Sequence, residues 1–230
     1  MYTELTAEQT STIQINFINK VYSWMALALT ITGFIAFRTA SSDALLNFIF
    51  GTPYMFMGLI IAELGIVFWM VSAINRMTSN LAISLFLLYS ALNGLTLSVL
   101  LIAYTGASVA STFFITAGTF GAMSAYGYFT KKDLTSWGNL LFMALIGLII
   151  ASVVNIFLNN PMMYWIITYA GVLIFVGLTA YDTQKIKRMS LELNIESEEG
   201  RKGAIMGALA LYLDFINLFI FLLRIFGQRK

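Results

Sequence analysis

Apolar runs of about 20 residues recur along this 230-residue chain, and they constrain its fold more than any other feature. An α-helix rises about 1.5 Å per residue, so ~20 apolar residues cover the ~30 Å hydrocarbon core of a bilayer. Only 10% of the residues are charged and 59% are hydrophobic, whereas soluble domains carry about 25% charged residues. A transmembrane barrel would instead show alternating segments of about 10 residues. The chain is therefore predicted to be an all-α polytopic membrane protein.

Turn signals divide the apolar runs into seven predicted spans. The Thr105-Gly106 pair is one such signal, and Asn159-Asn160-Pro161 is another, with a proline that suits the start of a helix. The predicted spans are 21–37, 54–74, 81–104, 107–129, 137–158, 162–181 and 204–226. The chain is thus organised as a polar N-terminal segment, 1–20, and one seven-helix transmembrane domain, 21–230.

Basic residues are distributed unequally between the two predicted sides of the membrane. Nine lie in the N-terminal segment and in the loops after spans 2, 4 and 6, and four lie on the other side. The nine are Lys20, Arg76, Lys131, Lys132, Lys185, Lys187, Arg188, Arg201 and Lys202, and the four are Arg38, Arg224, Arg229 and Lys230. Because basic loops stay in the cytoplasm, the N-terminus is predicted to be cytoplasmic and the C-terminus to lie outside. A re-entrant last span would instead leave both termini in the cytoplasm.

The chain has no cysteine and no histidine, which limits its chemistry. Disulfides, thiolate zinc sites, haem ligation by histidine and a histidine pH switch are therefore excluded. Any proton chemistry must use Asp, Glu, Lys, Arg or Tyr. The net charge of +2 is spread over loops and gives no indication of nucleic-acid binding.

Four charged residues within or at the ends of predicted spans are candidate site residues. Glu63 is halfway along the second span, Arg76 closes that span, Asp182 is at the inner end of the sixth, and Asp214 is in the middle of the seventh. A charge at the bilayer centre costs about 2.5–3.5 kcal/mol on insertion scales, so such residues usually face the protein interior and serve a function. Glu63 is expected to line or support an ion path, or to make a structural hydrogen bond.

Asp214 shares one helix face with small residues. Gly203, Gly207 and Ala210 precede it at i, i+4 and i+7, with Asp214 itself at i+11, and small residues let a neighbouring helix approach closely. Asp214 is therefore expected to face a packed helix. A permanently protonated Asp214 that makes only a structural hydrogen bond is the alternative interpretation.

Asp182 taken alone is typical of an interfacial residue, because the basic residues that follow it would hold it ionised. Spans 6 and 7 are consecutive and antiparallel, so Asp182 and Asp214 could meet if span 6 extends or tilts. By the predicted span edges Asp214 lies ~15 Å deeper. Two carboxylates at hydrogen-bonding distance do not both ionise, so such a pair would titrate as a unit and sense pH.

Several stretches resemble the Bax inhibitor-1 (transmembrane Bax inhibitor motif) family, in particular its bacterial members. They are NGLTLSVLL (93–101), TFGAMSAYGYFTKKDLTSWG (119–138), TAYDTQKI (179–186) and ALALYLDFINLFIFLLRIFG (208–227). The resemblance implies a seven-helix fold whose C-terminal helix is central, within two three-helix layers. It also implies a pH-sensitive calcium leak gated by a buried aspartate pair, which would be Asp182 and Asp214 here. An arginine late in span 2 serves as a latch in that picture, and Arg76 is the candidate.

The predicted function is therefore a non-enzymatic, pH-sensitive calcium leak of the bacterial inner membrane. Calcium prefers six to eight oxygen ligands, and the few intramembrane carboxylates suit weak, transient binding at Asp182 and Asp214 during permeation. No resident cofactor is expected. The expected partners are the lipid bilayer, calcium ions and protons.

Two other functions are weighed against the leak. A non-conducting regulator would use the pair only to lock the bundle and would contact partners through the polar loop 190–203, and the resemblance adds a membrane-bound protease as a partner of such a regulator. An intramembrane aspartyl protease would also use two aspartates. Its second site would read Gly-x-Gly-Asp with a Pro-Ala-Leu downstream, whereas this chain reads Leu-Tyr-Leu-Asp at 211–214 and has no proline after Pro161.

Overall fold

The computed structural model describes the backbone of residues 7–230 and the side chains of residues 12–230. Within that range the chain forms eight α-helices. They are α1 (Ala7–Ala40), α2 (Asp43–Gly51), α3 (Met55–Ala73), α4 (Ser79–Ala103), α5 (Gly106–Phe129), α6 (Thr135–Leu158), α7 (Pro161–Glu192) and α8 (Glu198–Phe226). A 3-10 turn, Ile74–Arg76, follows α3. The described residues contain no strand beyond an isolated bridge between Tyr104 and Arg229, so the predicted all-α class is confirmed.

Six of the described helices are long and apolar enough to cross a membrane, namely α1, α3, α4, α6, α7 and α8. The predicted span 107–129 corresponds to α5, which is not one of the six. With 24 residues, α5 is nevertheless ~36 Å long, enough to cross the hydrocarbon core. The length of α5 would thus allow it to be a seventh span, although its composition does not identify it as one.

Contacts relate α8 to α4 at both ends of the two helices. Where the two helices begin, the Glu198 carboxylate accepts hydrogen bonds from the Ser79 backbone N–H and, over 2.8 Å, from the Ser79 hydroxyl. Beyond their ends, the Lys230 N–H donates to the Ala103 carbonyl over 3.0 Å. These contacts favour α5 as a seventh span. The seven-span count and the re-entrant alternative both stay predictions.

The predicted ends of spans 6 and 7 are wrong. Helix α7 continues from 181 to Glu192, and α8 begins at Glu198 rather than at 204, so the polar loop predicted at 190–203 is a connection of residues 193–197. The polar end of α7 stays helical because one of its faces is buried: Ser190 is 1% exposed. An ideal Cβ on Gly203 of α8 would lie 2.6 Å from Leu193 Cδ1 and 3.2 Å from Met189 Sδ, so α8 packs closely on this part of the chain.

The beginning of the chain also differs from the expectation. Helix α1 is continuous from Ala7, so the described part of the polar segment 1–20 belongs to the first spanning helix, whereas residues 1–6 lie outside the described residues. The short helix α2 was not predicted. Its N-cap is Ser42, whose hydroxyl accepts a hydrogen bond from the Leu45 N–H, a local signal typical of helix starts.

Helix α8 is the most buried of the six candidate spans. In its most apolar 18-residue window 67% of the residues are buried, against 6% for α3 and for α6. A helix buried on nearly all sides is hydrophobic all round, and this accounts for the long apolar run at 204–226. The central position within two three-helix layers, which the resemblance implies, stays a prediction.

One compact unit contains α1 to α4, the last residues of α7 and the start of α8, with bounds up to Ala103, Lys187–Leu209 and Lys230. Helix α1 lies very close to α4, since an ideal Cβ on Gly94 would be 2.8 Å from the Thr32 carbonyl oxygen. The Thr32 hydroxyl donates to the Ser90 carbonyl over 2.8 Å, which satisfies a polar group within the membrane-spanning pair. These contacts fix the helix that carries the partners of Glu63.

The second compact unit contains α5, α6, most of α7 and the rest of α8, with bounds Tyr104–Ile186 and Ala210–Arg229. Its core is a cluster of buried side chains from α6, α7 and α8. They are Leu148, Ile167, Ile174, Phe175, Leu178, Leu218, Phe221 and Leu222. Because all three helices contribute to one core, α7 and α8 are held side by side along their apolar faces.

Helix α7 is also fixed against α5 and α6 on both sides of Asp182. An ideal Cβ on Gly127 of α5 would overlap the Ala180 carbonyl oxygen, and one on Gly138 of α6 would overlap the Tyr181 ring. After Asp182, the Gln184 side chain accepts from the Leu134 N–H over 2.9 Å and donates to the Lys132 carbonyl over 2.8 Å. The backbone around Asp182 is therefore positioned by direct contacts with both neighbouring helices and the turn that joins them.

Candidate functional site

Asp182 lies inside α7, ten residues before the helix ends at Glu192. It is half-buried, and the residues on either side of it, Tyr181 and Thr183, are half-buried and buried respectively. The interpretation of Asp182 as an ordinary interfacial residue depended on a span that ended at 181, and the longer helix removes that reason. Lys185, one turn further along α7, is the cation that acts on the Asp182 carboxylate.

Asp214 lies in the middle of α8 and is only 4% exposed. The residues before it, Leu211 and Tyr212, are fully buried, so Asp214 faces the protein interior as its stripe of small residues predicted. One of its oxygen atoms, Oδ2, has no hydrogen-bond partner among the described residues. A buried carboxyl group with a free oxygen is unusual, because buried polar groups are normally paired.

The two aspartates meet in the second unit, where their side chains share a hydrogen bond. The longer helices account for much of the expected difference in depth. Asp182 is ten residues inside the end of α7 and Asp214 sixteen residues inside the start of α8, so the offset falls from ~15 Å to ~9 Å. The hydrogen bond shows that helix packing closes the rest.

A hydrogen bond between two carboxyl groups requires one proton, because an ionised carboxylate can only accept. When that proton leaves, the bond is lost and two negative charges face each other. Unit charges 4 Å apart repel by on the order of 4 kcal/mol at an effective dielectric constant of ~20. The pair can therefore hold α7 and α8 together in one protonation state and favour their separation, or a cation between them, in the other.

The pair offers fewer oxygen ligands than a calcium ion takes. Calcium takes six to eight oxygen ligands, and two carboxyl groups supply at most four. Among the described residues no group of three or more Asp or Glu side chains could hold a metal ion. Weak, transient calcium binding at Asp182 and Asp214 stays a prediction.

Glu63 is the centre of a separate polar network in the first unit. Its carboxylate accepts a hydrogen bond from the Thr96 hydroxyl over 2.9 Å and one from the Asn93 amide over 3.4 Å, and that amide also lies 3.4 Å from the Tyr89 hydroxyl. The Asn93 Oδ1 atom is buried and has no partner among the described residues. Glu63 thus makes the structural hydrogen bonds that were one expectation, while a role in an ion path stays a prediction.

The two partners of Glu63 on α4 and the tyrosine bonded to one of them are site residues that the sequence reasoning missed. Tyr89, Asn93 and Thr96 are spaced i, i+4 and i+7, so they form one polar stripe on a membrane-spanning helix. Polar residues aligned in this way usually face another helix, and that signal was available in the sequence. The sequence did not show which helix this stripe faces.

Arg76, the candidate latch, lies exposed in the 3-10 turn after α3 in the first unit. The turn ends the second span at the position that the sequence predicted. Its role as a latch for the aspartate pair stays a prediction.

Glu63→Gln is expected to reduce any cation flux by about tenfold, which corresponds to about 1.4 kcal/mol of lost charge attraction. The variant keeps an oxygen that can accept from Thr96, so we expect normal insertion and purification. The measurement is cation flux into liposomes that contain the purified protein. Thr96→Val is the structural control, because it removes the 2.9 Å hydrogen bond and keeps the charge. Unchanged flux in Glu63→Gln across pH would show that Glu63 is only structural.

Comparisons with known proteins cover nearly the whole chain. A family model described as "Inhibitor of apoptosis-promoting Bax1" matches residues 14–230. The chain is 51% identical over 215 residues to the inner membrane protein YbhL of Escherichia coli strain K12, an overlap of 93% of this chain and 92% of that protein. It is 45% identical over 228 residues to an uncharacterized protein of Borreliella burgdorferi, an overlap of 99% of this chain and 98% of that protein. An uncharacterized membrane protein of Streptococcus pyogenes serotype M1 is 40% identical over 214 residues, or 92% of each chain.

Proposed function

Because the chain belongs to the Bax inhibitor-1 family, whose model matches residues 14–230, we propose that it is a calcium leak controlled by protonation of the Asp182–Asp214 pair. The observation that carries the proposal is the hydrogen bond between these two carboxyl groups, one of them buried in the middle of a spanning helix. A carboxyl group in the middle of a span costs free energy. A gate that responds to ionisation of that carboxyl group would give the residue a function.

The shared proton corresponds to the closed state. In that state the hydrogen bond ties α7 to α8 next to the close contact of Ala180 with Gly127. Loss of the proton replaces the bond with repulsion, so α7 and α8 separate or admit a cation between the carboxylates. Flux is therefore expected to increase as pH rises through the titration of the pair.

The membrane and the orientation are part of the proposal. A relative with 51% identity is an inner membrane protein of Escherichia coli, and we place this chain in the corresponding membrane of a bacterium. The excess of basic residues on the side of the N-terminus favours a cytoplasmic N-terminus. With seven spans, the C-terminal tail then lies outside, beside the turn between α4 and α5. The family is not one of known enzymes, and the proposed role is non-catalytic.

Calcium flux into liposomes tests the proposed function directly. Purified protein would be reconstituted in vesicles that contain a calcium indicator, with the same pH on both sides so that no proton gradient contributes. We expect calcium entry above that of protein-free vesicles, with a rate that rises between acidic and alkaline buffers. Entry equal to that of protein-free vesicles at every pH would show that the protein is not a leak.

A further inference from the structure

Three buried oxygen atoms of the second unit have no hydrogen-bond partner among the described residues. They are Thr112 Oγ1 and Ser124 Oγ on α5 and Asp214 Oδ2 on α8. All three residues are nine-tenths or more buried, and Thr112 is completely so. Buried polar atoms without a partner are rare, and such an atom is often paired with a water molecule or an ion.

The two unpaired hydroxyl groups belong to one face of α5. Residues 108, 112, 116, 120 and 124 follow one another at intervals of four, or ~6 Å along the helix. They are Ser108, Thr112, Thr116, Phe120 and Ser124, and all five are buried. Thr116 donates to the Thr112 carbonyl over 2.8 Å, and Ser108 is within hydrogen-bonding reach of the Gln228 backbone in the C-terminal tail. We call Ser108, Thr112, Thr116 and Ser124 the hydroxyl face of α5.

Aromatic contacts determine where Asp214 lies along this face. The Phe113 ring is 5.5 Å from Phe215 and 6.4 Å from Phe219, whereas Phe120 is 5.5 Å from Phe215. Residues later in α5 thus contact residues earlier in α8, so the two helices are antiparallel. Asp214 comes level with the stretch of α5 between Thr112 and Ser124, about 9 Å from each along the axis.

We propose that the hydroxyl face of α5 lines a water-filled path past Asp214, in which hydroxyl and carboxyl oxygens replace part of the hydration shell of a passing cation. Neutral hydroxyl groups suit this task because they offer oxygen ligands without binding the ion too tightly to leave. The inference deepens the proposed leak and rests on it for the identity of the cation. The presence of water along α5 can be tested without calcium.

Single cysteines test for water along α5, because the chain has no cysteine of its own. Thr112→Cys and Ser124→Cys would each be exposed to a small charged methanethiosulfonate reagent, which reacts in water and does not enter lipid. Lys131→Cys in the exposed turn before α6 gives the rate of a fully aqueous thiol. Phe114→Cys is the matched control, because Phe114 is 72% exposed and lies on the opposite face of α5 from the buried hydroxyl groups.

We expect the thiols at 112 and 124 to react within about tenfold of the rate at 131 and the thiol at 114 to stay unmodified. Equal protection at 112, 124 and 114 would overturn the inference, even if the wild-type protein conducts calcium, because the ion would then take another route. Reaction at 112 and 124 in a protein that shows no calcium flux would support the water path and reject the leak. Size-exclusion profiles identify any variant that does not fold.

A second pair of variants needs no thiol reagent. Thr112→Val removes the hydroxyl group at nearly constant volume and is expected to lower calcium flux by about threefold or more. Ser111→Ala removes a hydroxyl group from an exposed position of α5, where it donates to the Ser108 carbonyl over 3.1 Å, and should leave flux unchanged. Equal flux in the two variants would contradict a lining role for the hydroxyl face.

Discussion

Asp214→Asn is expected to abolish the pH dependence of calcium flux. An asparagine amide can still donate to the Asp182 carboxylate, so the link between α7 and α8 remains while the shared proton is removed. The ratio of protonated to ionised pairs changes by about tenfold per pH unit. The wild-type flux should therefore change by about that factor for each pH unit within the titration of the pair. In Asp214→Asn we expect a change of less than about twofold over the same range. The measurement is flux into liposomes between acidic and alkaline buffers.

Asp182→Asn and the double variant distinguish a shared proton from two independent groups. Both single variants should flatten the pH profile to a similar extent, and the double variant should add little, because residues that act as a unit are non-additive. Asp133→Asn, at an exposed position in the turn before α6, controls for the loss of a carboxylate. If the single variants shift the profile independently and additively, the shared-proton gate is wrong and Asp182 has no part in it.

Gly127→Ala is expected to disrupt the contact that positions Asp182. The added Cβ would overlap the Ala180 carbonyl oxygen and lie 2.9 Å from the Ala180 Cα, and neither backbone atom can move without shifting α7. Overpacking of this kind costs about 1–3 kcal/mol, occasionally more. We expect a lower thermal unfolding temperature in detergent. The pH response of flux should also weaken, because Ala180 is two residues from Asp182.

Gly121→Ala on the same helix is the matched control. No atom lies within 4 Å of an ideal Cβ at Gly121, and alanine is favoured over glycine inside a helix by about 1 kcal/mol. The variant should therefore be as stable as the wild type or slightly more stable. Equal stability of Gly127→Ala and Gly121→Ala would mean that α5 and α7 are not in close contact at this level.

The hydropathy of the sequence determined the class of the protein and the approximate position of every span. Burial in lipid depends on the composition of one segment at a time, so a run such as 204–226 could be recognised without its neighbours. The break at Asn159-Asn160-Pro161 was equally local, and α7 begins at Pro161 as predicted. The stripe of small residues before Asp214 predicted its buried position for the same reason.

Only the tertiary structure decided where the polar helix ends lie and which polar groups meet. The residues after 181 are charged and were predicted to form a loop. They stay helical to Glu192 because Ser190 is buried and Gly203 of α8 packs closely on them. That extension brings Asp182 within reach of Asp214. The choice of Thr96 and Asn93 as partners of Glu63, and the level of Asp214 along α5, depend on the register between helices far apart in sequence. Register is set by the packing of many side chains at once, so no single segment of the sequence contains it.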